Sequence, residues 1–91
     1  MTYDEFLILI RTNNFPDPIL VEQPANGCLD THSHPFEVRA FVIEGSIEIE
    51  IDGIRSIYHK DDAFHLLLNQ SHKESYGFFG VKYYASRKFF T

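Results

Sequence analysis

The chain has 91 residues, room for one domain and not for two. Apolar residues make up 44% of it, with nine Phe and five Tyr, which excludes an intrinsically disordered chain. The formal net charge is -5 and the acidic residues alternate with apolar ones. With no basic stripe and no apolar run long enough to cross a bilayer, neither nucleic acid nor a membrane is an expected partner.

Residues 1–14 read as one short N-terminal helix. Thr2 followed by Glu5 has the spacing of a capping box, in which a hydroxyl and a carboxylate satisfy each other's backbone N–H groups. Asp4 and Glu5 suit the positive end of the helix dipole. Phe6, Leu9 and Ile10 fall on one face, Asn13 and Asn14 tolerate the left-handed conformation that ends a helix, and Pro16 prevents continuation. A helix this short is unstable alone, so its apolar face must dock on the rest of the chain.

Residues 19–91 change to a period of two and read as an all-β barrel. Ile19 to Val21 form a first short strand. Ala40 to Ile43 form another, closed by Glu44-Gly45 as a turn. In Ile47-Glu48-Ile49-Glu50-Ile51 strict alternation puts isoleucines on one face and glutamates on the other. Asp52-Gly53 is a hairpin signal, since both central positions need positive φ, and Ile54 to Tyr58 return as the partner. Ala63 to Leu67 and Val81 to Ala85 complete the set. Short strands with turns between them and no alternating helices argue for a barrel or sandwich and exclude a doubly wound α/β fold.

Five histidines are many for this length. In a strand, His32 and His34 project from one face, close enough to chelate one ion. Glu37 offers a carboxylate shortly after Pro35, and His72, far along the chain, comes alongside the pair if the sheet closes. Three imidazoles with coordination positions left open make an exchangeable or catalytic metal site, not a closed structural one.

These residues resemble a small single-domain cupin. The first motif is Gly27-Cys-Leu-Asp-Thr-His32-Ser-His34-Pro-Phe-Glu37, continuing to Gly45; the second runs from Asp61-Asp62 to His72. The resemblance implies a jelly-roll β-barrel, a homodimer and a metal bound inside, with His32, His34 and His72 matching the family's three histidine ligands. The family's carboxylate ligand stands where this chain has Val38, and Glu37 is displaced by one. Strict alternation turns Glu37 to the other face; a bulge after Pro35 would return it to the metal. Asp61 and Asn69 replace glycines of the family pattern, and both residue types tolerate positive φ.

Other residues have plainer readings. His59 sits solvated at a strand end, and His65 faces away from Phe64 and Leu66. Phe36, Phe41, Phe64 and Tyr76 fill or line the barrel, and Glu74 can orient a histidine from two residues away. Arg87 to Phe90 form a basic, aromatic tail suited to packing across a neighbouring subunit. Cys28 is the single cysteine, and no basic start or cleavage site marks a secretory signal; both point to the cytoplasm.

The expected cofactor is one divalent transition metal: zinc, copper, iron, nickel or manganese, the last three favoured if a carboxylate joins the imidazoles. The expected function is a metal-binding module holding a small molecule. The alternative is a metal-dependent oxygenase or isomerase acting on a small organic acid, for which convergent Arg, Tyr or Gln side chains near the metal would be the sign. A metal-free dimeric scaffold is the third reading.

Overall fold

The computed structural model describes residues 1–90. Thr91, the last residue assigned to the barrel, lies outside the described residues.

Helix α1 spans Tyr3–Thr12. The Thr2 hydroxyl accepts from the Glu5 N–H at 3.1 Å and the Glu5 carboxylate accepts from the Thr2 N–H at 2.8 Å, so the capping box forms as the spacing predicts. Asn13 caps the C-terminal end and Asn14 follows at φ 62°. Phe6 and Ile10 are fully buried, with Tyr3 and Leu7 beside them. Leu9, expected on this face, stays half-buried at its flank. Phe6 and Ile10 meet Phe15 and Phe41, which packs α1 against the outside of the barrel. Each such full burial stabilises the domain by about 1.5–3 kcal/mol.

Six strands follow: β1 (Ile19–Gln23), β2 (Cys28–His32), β3 (Phe36–Ile51), β4 (Ile54–His59), β5 (Ala63–Leu66) and β6 (His72–Phe89). The long strands β3 and β6 run antiparallel along almost their whole lengths, from Phe36 opposite Phe89 to Glu50 opposite Lys73. At one end β1 flanks β6 and β5 flanks β3; at the other, β2 flanks β6 and β4 flanks β3. Val38, Ala40, Val81 and Ala85 of the first half pack in one core with Ile47, Ile49 and Tyr76 of the second. The result is an all-β jelly roll with one short helix.

The expected turn at Glu44-Gly45 is instead a bend inside β3. Gly45 has φ 75° and Gly80 of β6, also at φ 75°, lies against it; a Cβ on Gly45 would sit 2.0 Å from the Gly80 carbonyl oxygen. Register shifts on both sides of Gly45 let the two strands bend together without losing their pairing. The hairpin at Asp52-Gly53 forms with φ 52° and 79°, and Asp61 and Asn69 take positive φ at 72° and 56° where the family pattern has glycine.

Arg87 continues β6 and lies over the Phe36 ring, while the Lys88 ammonium donates to the Asn13 carbonyl at 2.9 Å. Both side chains thus lie against their own chain, while Phe89 and Phe90 project.

Candidate metal centre

His32 ends β2, His72 begins β6, and the two are direct cross-strand partners. His34 lies beyond the end of β2, not in a strand, and is placed by a loop whose geometry is fixed on both sides. The Asn69 N–H donates to the His34 carbonyl at 2.9 Å, and the His34 ring stacks on Phe36 at 4.8 Å between centroids. The three rings meet, with centroids 4.3 Å apart for His32 and His72, 4.9 Å for His32 and His34 and 5.4 Å for His34 and His72. One ring nitrogen from each lies within 4.8 Å of the others.

The tautomers are set by the backbone. His32 Nδ1–H donates to the Asp30 carbonyl at 2.7 Å, and His72 Nδ1–H donates to the Gln70 carbonyl at 2.9 Å. That leaves the Nε2 lone pair of each ring free, and both Nε2 atoms are buried without a hydrogen-bond partner. A buried polar atom left in this way costs about 1–3 kcal/mol, which a bound cation would offset. Backbone carbonyls that hold Nδ1 and aim Nε2 are the usual support of a metal-ligating histidine. Burial, and then the positive charge that His32, His72 and Arg87 can carry, lower the pKa of His34, which favours the neutral ring that ligation needs.

A carboxylate reaches the cluster, but it is Glu74. Its side chain points inward from β6, almost wholly buried, with Oε2 3.1 Å from His32 Nε2 and 3.9 Å from His72 Nε2. The 3.1 Å approach is not aligned as a hydrogen bond. Glu74 thus approaches two of the three rings, while the ligand atoms that lie within 4.8 Å of one another are those of the three histidines. Glu37 is not brought to the cluster. No bulge resets the phase after Pro35: Phe36 and Val38 face inward, and Glu37 faces outward and bonds the His65 ring. His65 does face away from Phe64 and Leu66, as alternation requires, and His59 is exposed at the end of β4.

Beside His34 and Glu74 the barrel interior opens into a cavity of about 110 Å³. Phe36, Val38, Phe64 and Leu66 supply apolar wall; Gln23, Tyr83 and Arg87 supply polar groups from β1 and β6. Phe41 is absent from this wall because it faces the helix instead, and Tyr76 is buried deeper in the core. Burial pushes the Tyr83 phenol up to about 12, so at neutral pH it is an O–H donor.

Among solved structures, the chain superposes on the cupin domain of Schizosaccharomyces pombe Cnp3 with a TM-score of 0.70 at 16% identity, covering 84% of this chain and 64% of that one. The chain has the cupin fold. A Cupin_2 domain of an XRE family transcriptional regulator from Enterobacter cloacae is similar at a TM-score of 0.67 and 16% identity, over 89% of this chain and 87% of that one. A protein of unknown function from Rhizobium leguminosarum bv. viciae gives 0.73 at 11% identity, over 78% and 67%. No family model and no curated protein matches the chain. The cupin likeness is thus one of fold, and the histidine cluster sits inside the barrel of that fold.

Proposed function

We propose that this cupin domain binds one divalent transition metal through His32, His34 and His72, with Glu74 as the carboxylate donor, and holds a small molecule in the cavity beside it. The observation that supports this most is the pair of buried, unpartnered Nε2 atoms on His32 and His72, each aimed by a backbone carbonyl on the opposite ring nitrogen. Among the described residues neither makes a hydrogen bond, the Glu74 carboxylate being the charged group beside them, and burial lowers the pKa of their neighbour His34. Three imidazoles and a carboxylate suit iron(II), manganese and nickel as well as zinc and copper. When bound, such an ion supplies Lewis acidity toward a carbonyl or carboxylate oxygen. The residues themselves orient the donors and keep bulk water from the inner end of the site.

The second reading, a metal-dependent enzyme acting on a small organic acid, is favoured by the convergence of Gln23, Tyr83 and Arg87 on the cavity. A binding module needs one polar anchor; three from two strands can position a reacting group. The proposal also includes a cytoplasmic homodimer. In its support, β1 is an edge strand with Ile19 and Leu20 exposed, Phe89 and Phe90 project, and Cys28 is an exposed free thiol.

Elemental analysis of the untagged protein tests the metal centre. We expect about one transition ion per chain, lost in the His32→Ala/His72→Ala double variant. Absence of metal from the native protein after reconstitution at neutral pH would overturn the reading in favour of a metal-free scaffold.

A further inference from the structure

The interior of the barrel is short of negative charge. A divalent ion held by three neutral imidazoles and the Glu74 carboxylate would keep one positive charge in surplus, and Arg87 adds a second. Arg87 takes the inward phase of β6, in step with Val81, Tyr83 and Ala85. Its guanidinium lies 5.7 Å from the centre of the Phe36 ring, and its charge is felt at both His34 and Tyr83. Among the described residues it forms no ion pair, whereas Arg55, Lys73 and Lys82 all find carboxylates on the outer surface. Glu74 is the one acid on the cavity wall, and it already faces the histidines. Uncompensated charge is costly away from bulk water, so a site with this balance selects an anion.

We infer that the cavity takes a small organic acid whose carboxylate is gripped by Arg87 while its other polar end faces the metal position. The inference rests on the metal-centre reading above and names the class of ligand that site accepts. A guanidinium offers two parallel N–H groups that match the two oxygens of a carboxylate. The Tyr83 hydroxyl and the Gln23 amide are neutral partners for a carbonyl or hydroxyl of the same molecule. Val38, Phe64 and Leu66 pack against its carbon atoms. The volume of about 110 Å³ limits the ligand. At about 30 Å³ per water this is room for about four waters, which an acid of about two to four carbons fills.

The test is calorimetric titration of the manganese-loaded protein with pyruvate and, separately, with its neutral isostere pyruvamide. Native protein and the variants Arg87→Gln and Arg87→Lys are compared, with manganese content measured in each. We expect pyruvate binding to weaken by about ten- to a hundredfold in Arg87→Gln. Arg87→Lys should lie in between, pyruvamide binding should be weak and equal in all three, and manganese content should be unchanged. Pyruvate and pyruvamide losing affinity equally in Arg87→Gln would show a merely structural role and overturn the inference. Full manganese occupancy with no pyruvate binding by the native protein would overturn it while sparing the metal centre. Failure of the native protein to take up manganese, or any other ion in the series named above, would overturn both.

Discussion

On the outer face of β3, Phe41 closes a buried, mostly aromatic cluster with Phe6, Ile10 and Phe15. On its inner face, Val38, Ala40 and Val42 are as well buried but small, and Val38 lines the cavity together with His34. One strand therefore carries two cores of opposite design. Bulk on the outside fixes α1 to the barrel, and the Tyr3, Phe6, Phe41 and Tyr84 rings contact one another at centroid distances of 5.1–6.2 Å. Economy of side chain on the inside keeps room for a ligand. Stability and function are divided across a single backbone, so each can be perturbed without the other.

Phe6→Ala should have the largest effect on stability. It removes a fully buried ring from the outer cluster and should cost about 3–5 kcal/mol in denaturant unfolding. Metal stoichiometry of the folded fraction should not change; if it falls, the two cores are coupled and the division fails. Glu74→Gln acts on the inner side alone. It should weaken metal binding by about ten- to a hundredfold, read by competition with a chelating dye. Stability of the metal-free protein should hold or rise, because a buried carboxylate is removed. Glu37→Gln sharpens the contrast between the faces. Its partner His65 is on the outer surface, so the change should cost less than about 1 kcal/mol and leave metal affinity alone. A loss of metal affinity matching that of Glu74→Gln would return the carboxylate role to Glu37.

Features written in neighbouring residues were legible in the sequence. The capping box at Thr2 and Glu5, the Asp52-Gly53 hairpin and the positive-φ turns at Asp61 and Asn69 depend on local backbone chemistry and form as read. The His32, His34 and His72 cluster was legible because its motif context marks the barrel interior. Strand β2 and the first part of β6, ahead of the expected Val81 to Ala85, were hidden because their residues lack the apolar alternation that marks a strand. Along β6 the inward residues His72 and Glu74 are polar, which inverts the apolar-in pattern that announces a strand. In β2 only His32 is even half-buried. The bend at Gly45 resembled a turn because glycine is a turn signal in sequence, yet Gly80 opposite bends with it and pairing survives. The choice between Glu37 and Glu74 depended on phase: Glu74 shares the inward phase of His72, and Glu37 has the outward phase beside Val38. The meeting of Gln23, Tyr83 and Arg87 needs the register of β1 on β6, which no single segment contains.

The last strand also governs when this protein can fold. β6 pairs with β1, β2 and β3, and without it the chain up to Ser71 is left with only the two arms of β3, β4 and β5. Every sheet contact of β1 and β2 awaits residues forty or more positions downstream, so loop closure must precede most of the stabilising contacts. During synthesis the barrel cannot close until the whole of β6 has left the ribosome. His32 and His34 emerge long before His72 gives them a partner. A chain arrested between β5 and β6 would carry β1 and β2 without partners and β3 with one long edge open, the form most exposed to aggregation.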